Sequence, residues 1–337
     1  MVVFQQGVLM EIKKVVSAAF TAVFVSSGIF AAAGDFDFDT TQFTESIEKY
    51  NATVGKIDEG LGDFAQQLAN AVPQAATQQN VWADAYIGKL FPSAVPHLGA
   101  GFNMGVTHID TSGLASVAEI FEIDNIKDSY YFPVFTADLR IGGVLFPFDV
   151  DIAVMKTGTL STDAFGCDLD VDFFTIGADF RYALMEEGVI MPCISAGIGY
   201  FYNQGSFGAG NDDAELAIDY KVHTMYLQAQ VSKSLLIFTP FLGLRGIVSK
   251  YNNEYSWAVK NEAATEIANS GLADIRTSGS GAYSSDAFDF NAVQPQIYAG
   301  VGFNFLVMQA TLSISADLRN IWDDGLWSGS FSLRAKL

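Results

Sequence analysis

Basic charge is scarce in this chain. Lys and Arg number 18 against 38 Asp and Glu, giving a formal net charge of −20 over 337 residues. Nucleic-acid recognition begins with basic patches that neutralise phosphates, so that class of partner is excluded. The two cysteines, Cys167 and Cys193, are too few for a disulfide framework. The three histidines, His97, His108 and His223, are scattered, and no Cys/His spacing suits a metal. Neither a Gly-rich phosphate loop nor a Gly-x-Ser-x-Gly nucleophile elbow occurs. The expectation is a protein that is not an enzyme and carries no cofactor. Long apolar runs are missing too. Beyond the N-terminus none reaches the about 20 residues that a membrane helix takes.

What the chain has instead is alternation. Val293, Pro295, Ile297, Ala299, Val301, Phe303 and Phe305 share one parity, and Gln294, Gln296, Tyr298, Gly300, Gly302 and Asn304 take the other. Ala310, Leu312, Ile314, Ala316 and Leu318 alternate likewise with Gln309, Thr311, Ser313, Ser315 and Asp317. A third run carries the pattern from Trp327 to Leu337. Period two is the strand period. Runs of about 9–11 residues suit a tilted strand crossing a bilayer, and an apolar face backed by a polar one is the transmembrane-barrel pattern. A soluble antiparallel sheet with one wet face alternates as well. An export signal at the other end favours the membrane barrel.

That signal occupies residues 10–33: Lys13 and Lys14, then apolar Val15 to Phe30, then Ala31, Ala32 and Ala33 as the cleavage site. Residues 1–9 read as an upstream extension before Met10, and residues 34–80 as a helical plug segment. Ile47, Tyr50, Val54, Ile57, Leu61, Phe64 and Leu68 form one stripe on a helix over 44–72, which Pro73 is expected to end. Gly55, Gly60 and Gly62 weaken that helix, so it needs a surface to pack on. Three placements are open: inside the barrel lumen, across the periplasmic mouth, or paired with a second copy as a coiled coil. The two plug placements are preferred.

Residues 81–337 read as the barrel. The first clear strand places Gly99, Gly101 and Gly105 on its inner face, leaving room for something bulky opposite, such as the helix. Apolar parity switches at Phe173–Phe174 and at His223–Met225, where β-bulges would restore one outer face. Connections at 91–96, 142–147, 185–191, 233–238 and 306–308 are short and belong to the periplasmic side. Those at 110–129, 157–167, 203–215 and 250–290 are long, with short helices expected at 114–121 and 261–268. Ten strands from residue 97 onward are favoured over twelve, a count that would need the weak candidate 81–90 as an eleventh strand and residues 35–43 as a twelfth. Cys167 and Cys193 fall at opposite ends of neighbouring strands, so both are expected as free thiols.

The inward parity collects Asp138, Arg140, Asp149, Asp151, Asp168, Asp170, Asp172, Asp179, Arg181, Asp219, Lys221, Arg245, Asp317, Arg319, Arg334 and Lys336. Of these, Asp138, Arg140, Asp149, Asp151, Asp179, Arg181, Arg245, Asp317 and Arg319 are the candidate selectivity residues of a charged pore. The competing reading is a network of internal ion pairs that fills and seals a narrow barrel. Asp168, Asp170 and Asp172 near the rim are a weak Ca²⁺ candidate, set against a solvated acidic loop.

The export signal, the strand–turn spacing and the terminal strand together resemble bacterial outer-membrane β-barrel proteins. The stretch Gln79 to Gly88, following an N-terminal helix, is similar to predicted treponemal (spirochaete) outer-membrane barrels. The resemblance implies an all-β, antiparallel up-and-down transmembrane barrel in the cell outer membrane. Its partners would be outer-membrane lipid, periplasmic chaperones and the barrel-assembly machinery. The assembly signal of such proteins usually ends in an aromatic residue, whereas this chain ends in Leu337 with Phe331 six residues earlier. The expected function is a porin-like channel for passive passage of small solutes, narrowed by the helix. The alternatives are a non-conducting surface barrel whose loops 110–129 and 250–290 bind host or matrix ligands, and a soluble periplasmic β protein.

Overall fold

The computed structural model describes residues 40–91, 96–120, 127–156, 160–164, 167–210, 214–260, 276–319 and 325–337. The export signal and the helix expected at 261–268 lie outside the described residues. Two helices are present among them, α1 (Thr40–Ala76) and α2 (Ser112–Ile120). The strands are β1 (Leu98–Asp110), β2 (Ser129–Gly142), β3 (Phe148–Lys156), β4 (Leu160–Ala164), β5 (Cys167–Met185), β6 (Cys193–Gly210), β7 (Ala214–Ser232), β8 (Phe238–Val259), β9 (Ser278–Ser284), β10 (Gln294–Phe305), β11 (Met308–Asp317) and β12 (Trp327–Lys336).

Ten of these strands close a ring, each antiparallel to the next, in the order β1-β2-β3-β5-β6-β7-β8-β10-β11-β12, with β12 returning to β1. Full closure satisfies every ladder without leaving an edge, which a bilayer requires. The strands β4 and β9 add no position to the ring. β4 continues along β5 beyond the end of β3, and β9 continues along β8 beyond β10. Residues 81–90 form no strand.

An apolar belt faces outward, including Phe102, Met104, Phe135, Leu139, Ile152, Ile176, Leu227, Leu244, Leu312 and Leu333. Rings flank it on both sides. His108, Tyr131 and Trp327 meet on the loop side; Phe148 with Phe180 and Phe238 with Phe303 meet on the turn side. At the turn tips Val189, Leu236 and Leu306 are fully exposed. No helix among the described residues is long and apolar enough to cross a membrane.

The bulges expected at Phe173–Phe174 and His223–Met225 are absent. β6 pairs with β7 without a register shift, and the one shift between β5 and β6 falls at Ala183/Met185. The parity switch has another cause. β5, β6, β7 and β8 are 19, 18, 19 and 22 residues long, against the roughly 9–11 that span a bilayer. Their loop-side halves stand clear of the belt, so the outward face turns polar and the inward face turns apolar. The expected loops 157–167, 203–215 and 250–290 are correspondingly shorter, because β4, β6, β7, β8 and β9 take up much of each.

The apolar inner collar receives α1. Val54, Ile57, Leu61, Phe64 and Leu68 are buried against Ile109, Phe173, Leu216, Ile218, Tyr220, Val222 and Trp257. The side chains of Ile47 and Tyr50 lie outside the described residues. α1 also packs on α2, where Gly60 and Gly113 meet backbone to backbone: a Cβ on either would lie 2.5 Å from the other's carbonyl oxygen. The glycine that weakens the helix is what lets the two approach. Pro73 does not end α1, which continues to Ala76 with Ala71 to Ala76 wholly buried. Burial inside the ring outweighs the loss of one helical hydrogen bond. The helix therefore lies in the lumen, its N-terminal half toward the loops and its C-terminal end at mid-barrel.

Candidate functional site

Past Ala76 the chain leaves the helix through tight bonds, from the Thr77, Gln78 and Gln79 N–H groups to the carbonyls of Pro73, Ala75 and Ala76. It then runs down the lumen to Gly88. Gly88 has φ of +110°, and a Cβ there would meet the His97 ring at 2.6 Å, so the exit toward β1 requires glycine.

An extended segment buried in a ring has no ladder to join, so its carbonyls need other donors. The wall supplies them. Arg245 donates to Thr77 O (2.9 Å), Asn103 to Gln78 O, Thr136 to Gln79 O (3.0 Å) and Arg181 to Asn80 O (3.1 Å). Arg334 donates to Val81 O (2.6 Å), and Gln230 spans Trp82 O and Ala83 O (2.9 and 3.1 Å). Arg140 closes the run on Asp84 O and Ala85 O (2.8 and 3.2 Å). Nine successive carbonyls thus accept a hydrogen bond from a barrel side chain.

The same arginines are held by carboxylates. Arg140 forks onto Asp149 with bonds of 2.9 and 2.8 Å, and both side chains are buried. Arg181 pairs with Asp179 on its own strand at 2.7 Å, and Asp179 also accepts from Tyr226 at 2.7 Å. Arg334 on β12 and Asp138 on β2 both stand opposite Gly101 of β1 in register, and they join over that glycine. A Cβ on Gly101 would strike the Arg334 side chain. Gly99 likewise leaves room for the Trp82 ring, which has the Arg334 and Arg140 guanidinium carbons 4.4 and 5.4 Å from its centroid. The glycine-lined face of β1, opposite which the sequence suggested the helix, is therefore occupied by Gln78 and Trp82 of the extended segment that follows the helix.

Each expected lumen residue can now be placed. Asp138, Arg140, Asp149, Asp151, Asp179, Arg181 and Arg245 are buried inside. Arg245 pairs with no carboxylate among the described residues and has its guanidinium carbon 4.0 Å from the Tyr298 ring centroid. Both carboxylate oxygens of Asp151 lack a protein partner. Asp317 and Arg319 pair with each other at 2.7 Å at the loop-side mouth, and Arg319 reaches Asn70 of α1. Of the Asp-x-Arg motifs, 179/181 and 317/319 pair internally, while Asp138 and Arg140 find partners on other strands. Lys336 holds Asp84 of the plug at 2.9 Å.

Asp172, Asp219 and Lys221 are not in the lumen. With no bulge to turn them inward they face outside, where they line a cleft of about 650 Å³ with Lys156, Gln204 and Glu254. The side chains of Asp168 and Asp170 lie outside the described residues, and the described residues hold no cluster of three metal-ligating groups. Cys193 is a free, buried thiol at the turn end of β6; the backbone of Cys167 is at the loop end of β5. Above the belt Tyr251 stacks on Tyr283 at 5.2 Å. Burial, then that neighbour's hydrogen bond, pushes the Tyr251 phenol up to about 12, so it stays un-ionised at neutral pH.

The tyrosines inside the wall escaped the pattern reading, because each stands on the polar parity. Tyr226 lies over Gly199 and Tyr298 over Gly243, each glycine on the neighbouring strand providing the space. Aromatic residues opposite inward glycines were the available signal. Gly199→Val should displace the Tyr226 ring from Asp179 and from the Asn80 amide that donates to it at 2.8 Å. Overpacking of this kind costs about 1–3 kcal/mol. A lowered melting temperature of the detergent-solubilised barrel checks it; a melting temperature equal to that of the unaltered chain would mean that the ring has other room.

No protein-family model matches the sequence, and no curated protein matches it. Solved structures similar to the fold include the outer-membrane protease OmpT of Escherichia coli, at 8% identity over 72% of this chain and 97% of that one, with a TM-score of 0.41. The translocator domain of the autotransporter NalP from Neisseria meningitidis is similar at 9% identity over 74% and 91%, with a TM-score of 0.36. The attachment invasion locus protein Ail of Yersinia pestis is similar at 12% over 71% and 95%, with a TM-score of 0.20. All are bacterial outer-membrane barrels. The closed ten-strand fold rests on this chain's own strand register.

Proposed function

We propose that the chain is an outer-membrane barrel shut at rest by its own N-terminal segment, with solute passage only when that segment leaves. The observation that carries this reading is the run of nine bonded carbonyls from Thr77 to Ala85, set among buried arginines. The expected pore lining is thus committed to holding the plug. The outer-membrane location draws on the outward apolar belt, the aromatic rings on either side of it and the export signal read at residues 10–33. The segment Gln79–Gly88, on which the resemblance to spirochaete barrels rests, is the part that fills the lumen.

The test is single-channel recording in planar bilayers. The whole chain should insert without steady current, and a variant lacking residues 34–88 should conduct. A deletion stopping at residue 73 should stay shut, because the bonded carbonyls lie beyond it. Steady current from the whole chain would contradict the reading. With short turns inside and long connections outside, the N-terminal half of α1 faces the cell surface. Ala52 is exposed there. In a Cys167→Ser, Cys193→Ser background, Ala52→Cys should react on intact cells with a membrane-impermeant maleimide. Labelling only after the outer membrane is opened would reverse the threading.

A second reading is favoured by the height of β5 to β8. Their outward polar faces above the belt carry the charged cleft between Lys156 and Glu254. As a non-conducting surface barrel, the protein would bind its ligand there and on its loops.

A further inference from the structure

We infer that the turn-side half of the lumen is a binding site for an extended polypeptide backbone, read chiefly through main-chain carbonyls. The inference rests on the plugged reading above and adds what class of ligand the wall accepts. Two sets of acceptors on the same segment decide it. Every carbonyl from Thr77 to Ala85 takes a bond from the wall, whereas the side chains are met in part: the amides of Gln78, Gln79 and Asn80 donate to Ser315, Thr175 and Tyr226, and Gln309 and Lys336 hold Asp84, but the side-chain oxygens of Gln78, Gln79 and Asn80 are buried without a protein partner. The indole N–H of Trp82 and the hydroxyl of Tyr86 are unpartnered as well. The wall's donors thus meet in full the part of the segment that every polypeptide shares, and its side chains only in part.

The geometry suits that task. Arg181, Arg334 and Arg140 are held rigid by Asp179, Asp138 and Asp149, so their remaining N–H groups project at fixed points along the lumen. Pre-organised, charge-assisted donors lose little freedom on binding. A carbonyl row needs only an extended chain, and Gly99 admits one large ring. The resident segment 77–85 is on this view an intramolecular occupant of a general backbone site, and a second extended peptide is an alternative occupant.

The first test uses the whole chain. The triple variant Gln78→Ala, Gln79→Ala, Asn80→Ala should remain shut in planar bilayers, while Arg181→Ala combined with Gln230→Ala should pass current. Current from the triple variant at the level of the wall variant would overturn the proposal. The second test cuts the folded protein at a protease site inserted after Phe91, which is exposed. The N-terminal piece is then washed out with guanidinium under conditions in which the barrel keeps its gel mobility. A fluorescent peptide of residues 76–88 should bind the emptied barrel. A peptide with alanine in place of Gln78, Gln79 and Asn80 should bind within about threefold of it. A peptide with esters replacing the amides after Asn80, Val81 and Ala83, whose carbonyls are poorer acceptors, should bind at least about tenfold more weakly. Loss of binding on alanine substitution with no loss on ester substitution would overturn the inference. So would an emptied barrel that conducts yet binds neither peptide; in that outcome the plugged reading stands and the backbone site does not.

Discussion

Arg334→Ala is expected to destabilise the folded barrel by about 3–5 kcal/mol. Arg334 has no exposure and holds Asp138 across β1, the Val81 carbonyl and the Trp82 ring. Truncating it leaves a buried carboxylate with no cation and a buried carbonyl with no donor. The cost is that of stranding them, which exceeds the net worth of the ion pair. It also falls at the closing seam, since β12 and β1 are the last and first strands of the ring. Urea unfolding in detergent measures it. The double variant Arg334→Met, Asp138→Leu should recover much of the loss, because a matched apolar pair leaves nothing unpaired. Equal losses in the single and double variants would show that packing, and not the stranded charge, sets the effect.

Trp82→Ala should have the second large effect, about 3–5 kcal/mol from the cavity left by a buried ring. The ring is the one large side chain of the plug within reach of two guanidinium groups, and it fills the space over Gly99. The strand ladders do not depend on it. The expected phenotype is therefore a barrel of normal gel mobility whose lumen opens in bursts, seen as intermittent current where the unaltered chain is silent. Trp82→Phe should show shorter bursts. A silent Trp82→Ala would place the hold on the segment entirely in the carbonyl bonds.

Much of this architecture was legible because period two has one cause within a bilayer. The alternation of β10, β11 and β12 and the inward Asp138, Arg140, Asp149, Asp179 and Arg181 all follow from strands between lipid and lumen. The parity switches near Phe173 and His223 were misread because a bulge and a change of surrounding medium shift apolar parity alike. Strand length separates them: a strand as long as β8, at 22 residues, must leave the bilayer. That is also why Asp172, Asp219 and Lys221 lie outside. The ion-pair partners were not legible, since Asp138 meets Arg334 across the ring closure, 196 residues away. The segment 77–85 was hidden for a different reason. Contacts made through carbonyls impose no periodicity on side chains, so a backbone-held stretch looks like a weak strand.

The central claim is that this segment lies in the lumen of the native protein, and a designed cross-link tests it most directly. A Cβ built on Gly105 falls 3.5 Å from the Gln78 Cβ, at the short end of the usual disulfide range. The variant Gln78→Cys, Gly105→Cys, with Cys167 and Cys193 replaced by serine, should cross-link under mild oxidation in native membranes. Mass spectrometry should find the peptides bearing positions 78 and 105 joined, and the cross-linked barrel should stay shut even when Trp82→Ala is added. Two free thiols after oxidation, in a barrel that is folded and inserted, would contradict the account.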